Sequence, residues 1–277
     1  MIRAALIQLN SSDDPVANLP MTQALVAEAA ATGASAVMTP EVTNCVSASR
    51  DHQRSVLQHE DEDITLAALR AQAGRLGIWL LIGSLALKTR DPDGRFSNRS
   101  FLISPEGHIM ARYDKIHMFD VTVSETETYR ESAGYRPGEA AVVADMGGLT
   151  LGMTICYDIR FPHLYRRLAQ AGAQVLSVPS AFSPVTGAAH WETLLRARAI
   201  ETGCYVLAPA QTGRHRACAG RARETWGHGL AIGPWGEVLA DGGTDTGVIY
   251  VDLDPAEVAQ ARQRIPALQH GKTFDTS

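Results

Sequence analysis

The chain is predicted to be an α/β protein in which two β-sheets pack face to face and helices cover them. Three observations predict this. Strands and helices alternate through the first half, the second half repeats the same style, and two short hairpins echo each other. The echo pairs Ile103-Ser104-Pro105-Glu106-Gly107-His108-Ile109-Met110-Ala111 with Ile232-Gly233-Pro234-Trp235-Gly236-Glu237-Val238-Leu239-Ala240. Proline second and glycine fourth in the turn specify a tight type I reversal between strands. If the echo is more than coincidence, it implies two pseudo-equivalent halves, one per sheet.

The elements follow in order. The apolar stretch Ile2 to Leu9 alternates as a strand and lacks a small-residue cleavage site, so it reads as the first strand and not as a signal peptide. An alanine-rich helix through Ala24, Leu25, Ala27 and Ala29 to Ala31 ends at Gly33, and Ala36 to Met38 is a short strand running into Thr39-Pro40-Glu41. A helix from about Asp61 to Arg75 has an acidic first turn and a Gly77 stop, as its dipole prefers. Strands follow at Ile78 to Leu85, Phe96 to Ile103 and His108 to Tyr113, with a turn at Asp91-Pro92-Asp93-Gly94. In the second half come a strand from Leu149 into Cys156, a helix from His163 to Gly172, a strand at Val175 to Val178 and a helix from about Ala188 to Thr202. Strands at Tyr205 to Ala210, Gly229 to Ile232, Glu237 to Leu239 and Val248 to Val251 precede a helix from Pro255. No linker or low-complexity tract interrupts residues 1–277, which are read as one domain.

Composition limits the function classes. The hydrophobic fraction of 45% suffices for a full core, and the net charge of −5 gives no electrostatic footprint for nucleic acid or an anionic membrane. No apolar stretch approaches the roughly 18–20 residues of a membrane span. The four cysteines (Cys45, Cys156, Cys204, Cys218) form no C-x-x-C pair and no zinc-like spacing with the histidines. Free thiols and a cytoplasmic location are expected.

The chemistry centres on Cys156, where a strand stops and turns at once into Tyr157-Asp158-Ile159-Arg160-Phe161-Pro162. Such a turn holds the sulfur out of the sheet beside free backbone N–H groups; the alternative is a small buried hydrophobe. A thiol with an ordinary pKa of about 8.5 needs a base. His163 and His190 have structural readings, which leaves a carboxylate made more basic by burial. Glu41, at a strand end after Pro40, is the candidate base. Lys115, in Tyr113-Asp114-Lys115-Ile116-His117, is a candidate oxyanion donor if it points inward, helped by the Tyr157 amide. Glu131 lies in a Gly/Pro-punctuated loop after it.

Pro40-Glu41, Tyr113 to His117, Arg130-Glu131-Ser132 and Ile155 to Pro162, in that order, resemble the nitrilase (carbon–nitrogen hydrolase) superfamily over nearly the whole chain. The resemblance implies a four-layer α-β-β-α sandwich and a Glu–Lys–Cys triad at Glu41, Lys115 and Cys156. It also implies an auxiliary glutamate at Glu131, a homodimer or larger homo-oligomer, and no metal or organic cofactor. The implied reaction is amide hydrolysis through a thioester. Pro179 to Ser183, Thr186 to Glu201 and Ala210-Gln211-Thr212-Gly213-Arg214-His215 resemble the branch acting on deaminated glutathione. The expected substrate is therefore a small oxo-acid amide whose terminal carboxamide is cut with release of ammonia. An ω-amidase acting on 2-oxoglutaramate or 2-oxosuccinamate, acyl transfer to another amine, or a catalytically silent scaffold are the alternatives. Tyr129, Tyr157 and Phe182 are candidate pocket-lining residues, with aromatic core packing as the competing reading. Arg160 has two readings, binding a carboxylate or, preferred, a structural ion pair with Asp158 or another acid. The polar stretch Val121 to Thr128 is expected to border the substrate entrance.

Overall fold

The parallel strands of this chain are continuous apolar runs (Ala-Ala-Leu-Ile, Ala-Val-Met, Leu-Leu-Ile), the signature of strands buried on both faces. The computed structural model describes residues 1–124 and 127–275. Its first half contains β1 (Ile2–Gln8), α1 (Pro15–Ala31), β2 (Ala36–Met38), α2 (Arg50–Val56), α3 (Ile64–Leu76), β3 (Trp79–Lys88), β4 (Phe96–Ile103) and β5 (Ile109–Asp114). Next come β6 (Asp120–Ser124), β7 (Glu127–Arg130), β8 (Val142–Asp145), β9 (Thr150–Met153), α4 (Pro162–Gln170), β10 (Val175–Ser177) and α5 (Pro184–Thr202). The chain continues through β11 (Tyr205–Ala208), β12 (Thr212–Arg214), β13 (Glu224–Trp226), β14 (Leu230–Ile232), β15 (Val238–Asp241), β16 (Gly247–Leu253) and α6 (Pro255–Arg264).

Two six-stranded sheets result, ordered β16-β1-β2-β3-β4-β5 and β15-β14-β11-β10-β9-β8. In each, three central strands run parallel, an antiparallel hairpin extends one side and a single antiparallel strand closes the other. The two echoing hairpins, β4–β5 and β14–β15, therefore occupy equivalent places in the two sheets. They carry the same irregularity, with Leu102 opposite Ala111 then Ile103 opposite Ile109, and Ala231 opposite Ala240 then Ile232 opposite Val238. The turns themselves match as well, each closed by a left-handed glycine, Gly107 (φ 81°) and Gly236 (φ 90°), and the extra residue of each bulge, Met110 and Leu239, lies three positions after that glycine.

Side-chain alternation builds the layers. Ala4, Leu6 and Met38 of the first sheet face Leu151, Met153 and Val175 of the second. Ala5, Ile7, Val37 and Leu80 face Val26 and Ala29 of α1 and Leu66, Leu69 and Ala73 of α3. Leu164, Tyr165 and Leu168 of α4, with Trp191, Leu195 and Ala199 of α5, cover the second sheet. The architecture is the α-β-β-α sandwich expected from the sequence. No helix of the described residues is long and apolar enough to cross a membrane.

Several elements depart from expectation. The helix placed at Ala188 begins at Pro184, where Ser183 precedes a proline suited to the first helical turn. The short α2 and the β6–β7 and β12–β13 ribbons are additional. Residues 125 and 126, which fall in the polar stretch expected at the entrance, lie outside the described residues.

Candidate active site

Each site residue sits where a sheet strand gives way to a loop. Cys156 follows β9 and opens a short 3₁₀ turn, Cys156–Arg160, with φ of 47°, a conformation costly for a residue with a side chain. Asp158 holds the turn in place. Its carboxylate accepts the Ile155 N–H (2.9 Å), the Tyr113 hydroxyl (2.6 Å) and the His117 N–H (3.0 Å). The Cys156 N–H donates to the Pro179 carbonyl (3.0 Å), at the end of the neighbouring strand β10. The Tyr157 amide lies in the first turn of this helix, where N–H groups have no intrahelical acceptor.

Glu41 lies just beyond β2, beside another strained residue, Val42 (φ 47°). Lys115 immediately follows β5, and Glu131 opens the 3₁₀ turn after β7. Sequence separations of 74 and 16 residues close onto one ammonium: Lys115 Nζ is 2.9 Å from Glu41 Oε1, and 3.0 and 2.9 Å from the two oxygens of Glu131. Lys115 is only 2% exposed, so the inward alternative is the one realised and the surface-lysine reading fails. Further donors complete both carboxylates. Asn98 Nδ2 reaches Glu41 Oε1 (2.9 Å) and Glu131 Oε1 (3.5 Å). The Ala181 N–H donates to Glu41 Oε2 (2.9 Å), and the Phe119 N–H to Glu131 Oε2 (2.6 Å). The Cys156 thiol lies close enough to the Glu41 carboxyl for each to shift the other's titration, and it lies beside the Ala181 amide.

This network corrects the expectation that burial leaves Glu41 more basic. Burial does push its carboxyl upward, but the Lys115 ammonium, the hydrogen bonds from Lys115 and Asn98 and the neighbouring Cys156 thiol outweigh it and hold the group below its ordinary value. Burial would likewise lower Lys115, yet Glu131 and Glu41 keep it protonated well above the usual lysine range. Burial and the adjacent Glu41 charge push the Cys156 thiol up. The resting cluster is thus an ionised glutamate, an ammonium and a neutral thiol next to the glutamate.

The cluster forms the floor of a cavity of about 730 Å³. Tyr129, Tyr157 and Phe182, the sequence candidates for its lining, all border it. Phe182 also packs against Trp191 (centroids 4.9 Å apart), so its core and lining readings both apply. Arg160 makes no ion pair with Asp158 or any other acid among the described residues. Asp158 is filled by Tyr113, His117 and Ile155, and the Arg160 guanidinium instead lies over the rings of Tyr157 (5.8 Å) and Phe182 (5.5 Å). His163 and His190 are exposed and make no hydrogen bond to the cluster. Among the described residues no group of three His, Cys, Asp or Glu side chains has the arrangement to hold a metal ion.

Asn98 and the Ala181 amide were not anticipated. An asparagine within the buried strand Phe-Ser-Asn-Arg-Ser-Phe-Leu-Ile is itself a signal, because a buried polar side chain requires partners. A backbone amide offers no such signal.

The strained cysteine turn, the buried Glu–Lys–Glu cluster and the sandwich together define a cysteine hydrolase acting on carbon–nitrogen bonds. A family model, "Carbon-nitrogen hydrolase", matches residues 3–263, and the chain belongs to that family; it is an amidase. It is 39% identical to the deaminated glutathione amidase of Yersinia enterocolitica, over 97% of this chain and 92% of that one. Among solved structures it resembles the C. elegans NitFhit protein, with a TM-score of 0.87 and 32% identity, covering 98% of this chain and 65% of that one. It also resembles a variant of the amidase from Nesterenkonia sp. AN1 in which acrylamide has added at the active-site cysteine (TM-score 0.77, 26% identity, 96% and 98% coverage).

Proposed function

We propose that this protein hydrolyses the amide of deaminated glutathione, with Cys156 as nucleophile, Glu41 as general base and acid, Lys115 as oxyanion donor and Glu131 as the residue that positions Lys115. The observation that carries the reading is the buried Lys115 ammonium held between Glu41 and Glu131 beneath a thiol on a strained turn. The ionised Glu41 takes the thiol proton as the sulfur attacks the amide carbon. The oxyanion formed is met by the Lys115 ammonium and the Tyr157 N–H. Glu41 then returns its proton to the departing nitrogen, the C–N bond breaks, and a thioester remains. Water, deprotonated by Glu41, attacks the thioester; the sulfur leaves and recovers its proton from Glu41.

The leaving group depends on the substrate. An ω-amide such as 2-oxoglutaramate carries a primary carboxamide and releases ammonia. Deamination of glutathione leaves only internal amides, so its cleavage releases a dipeptide amine and a 2-oxo diacid; the terminal carboxamide and the ammonia expected from the sequence belong to the ω-amide alone. Tyr129, Tyr157 and Phe182 line the space for the acyl chain. The chain is taken to act as one domain, in the cytoplasm, as a homo-oligomer, with no cofactor in the reaction scheme. The test is product formation from deaminated glutathione and from 2-oxoglutaramate by the wild type and by Cys156→Ala. Faster turnover of 2-oxoglutaramate by the wild type would replace this substrate assignment with the ω-amidase one. Turnover by Cys156→Ala would remove the nucleophile assignment.

A further inference from the structure

One wall of the cavity carries cations that the catalytic cluster does not use. Arg214, Arg221 and Arg223 all border it, on and between β12 and β13. None forms an ion pair among the described residues. Two carboxylates of the cavity, Glu41 and Glu131, are taken by Lys115, which leaves Glu224 as the other acid of the lining. Arg223 is the most enclosed of the three. Its Nε is buried without a hydrogen-bond partner, and its Nη2 touches the Ala181 carbonyl only at 3.5 Å. A buried guanidinium donor left open in this way is costly unless a ligand completes it.

The loop that presents these arginines is fastened from behind. Buried Asp13 accepts the Cys218 N–H (2.9 and 2.8 Å) and the Ala219 N–H (3.2 Å), and the His52 ring lies 3.3 Å from it. His215 donates its N–H to the Arg223 carbonyl (2.9 Å), and its ring is fixed between the Ser11 carbonyl and the Thr225 hydroxyl, each at 2.7 Å. The guanidinium groups are therefore held on an anchored support, which lowers the ordering cost of binding an anion.

Their side of the cavity can be assigned. Ala181 donates its N–H to Glu41 Oε2 and offers its carbonyl to Arg223, so one residue separates the proton-delivering carboxylate from the enclosed guanidinium. The departing amine receives its proton from Glu41 and so leaves along this wall. We propose that Arg223, with Arg221 and Arg214, forms a subsite for a carboxylate on the amine portion of the substrate. The enzyme then prefers amides whose amine portion carries a carboxylate over primary amides. The proposal rests on the assignment of Glu41 and deepens it by naming the residues that hold the carboxylate of the leaving group.

The test compares two amides that share one acyl group, deaminated glutathione and 2-oxoglutaramate. Arg223→Ala should lower the ratio of their kcat/KM values at least tenfold, and Arg221→Ala, at an exposed position, should lower it in the same direction. Deaminated glutathione with its terminal carboxylate converted to the neutral amide should lose a similar factor with the wild type, which needs no variant to fold. An unchanged ratio in both variants, or full activity on the neutral-ended substrate, overturns the subsite. Calorimetric affinity of Cys156→Ala and Cys156→Ala/Arg223→Ala for deaminated glutathione reads the subsite without chemistry. A tenfold weaker affinity in the double variant supports it even if the wild type turns over neither amide, a result that would count against the hydrolase mechanism alone. Equal affinities overturn it.

Discussion

Replacing Glu41 by glutamine keeps the size of the side chain and removes one charge from a buried cluster, so its consequences separate by sign. The Lys115 ammonium keeps both contacts to Glu131, at 3.0 and 2.9 Å, and is not stranded. The cost to folding is that of mismatched hydrogen bonds to Asn98, Lys115 and Ala181, on the order of 1–3 kcal/mol. Activity suffers more, because Glu41 moves a proton in both the acylation and the deacylation halves. Loss of positioned acid–base help is worth about 10²–10⁴ in rate, roughly 3–6 kcal/mol at about 1.4 kcal/mol per decade. The thiol should respond in the opposite direction. Its pKa is pushed up first by burial and then by the Glu41 charge, so removing that charge lowers it. Steady-state kinetics with deaminated glutathione, and the pH midpoint of Cys156 alkylation by iodoacetamide followed by intact mass, read the two effects. Glu41→Gln should combine a kcat/KM at least a hundredfold lower with an alkylation midpoint at lower pH. A variant retaining activity within threefold, or a midpoint moved upward, would refute the assignment of Glu41 as the base coupled to this thiol.

Other perturbations have defined outcomes. Lys115→Met leaves two carboxylates buried together without their cation, which should cost about 3–5 kcal/mol and lower Tm by roughly 6–20 °C in calorimetry. Gly83→Ala places a methyl group 1.8 Å from the Thr39 carbonyl and 2.5 Å from Pro179 Cβ, between the segment leading to Glu41 and the residue that accepts the Cys156 N–H. It should lower both activity and Tm, at a cost of about 1–3 kcal/mol or more. Burial pushes His215 down to about 4, so the unfolded chain binds the proton first as pH falls. Its stabilising contribution is present above about pH 6.5 and fades as pH falls toward 4, by an amount on the order of 3 kcal/mol. Urea denaturation of His215→Gln should show a shallower loss of stability than the wild type over that interval.

The sheets were readable because strands buried on both faces leave continuous apolar runs, and their glycine-closed hairpins leave a repeat. The repeat at Ile103 to Ala111 and Ile232 to Ala240 proved to mark equivalent hairpins with the same bulge. The ribbons β6–β7 and β12–β13 left no such trace. Their strands have only three to five residues; β6 (Asp-Val-Thr-Val-Ser) does alternate polar and apolar positions, but its partner β7 and the strands β12 and β13 carry too few apolar residues to mark a ribbon. Of the site, Cys156 showed itself locally by its strand-to-helix turn. The convergence of Glu41, Lys115 and Glu131 is a tertiary event, and their residue types alone could not decide between a surface lysine and a buried one. The ordered resemblance to a family supplied that choice. Charge balance was the least readable property. The sequence suggested a base strengthened by burial, whereas the ammonium at 2.9 Å reverses the direction. Arg160 illustrates the same limit, since its expected acid, Asp158, is occupied by groups distant in sequence.

The mechanism stands or falls on a covalent acyl group at one sulfur. Wild-type protein mixed with deaminated glutathione, quenched with acid within milliseconds and digested with trypsin, should yield the peptide spanning residues 131–160 heavier by the acyl portion, with the added mass on Cys156 and released by hydroxylamine. Substrate consumed at full rate while that peptide stays unmodified at every quench time, or turnover persisting in Cys156→Ala, would contradict it.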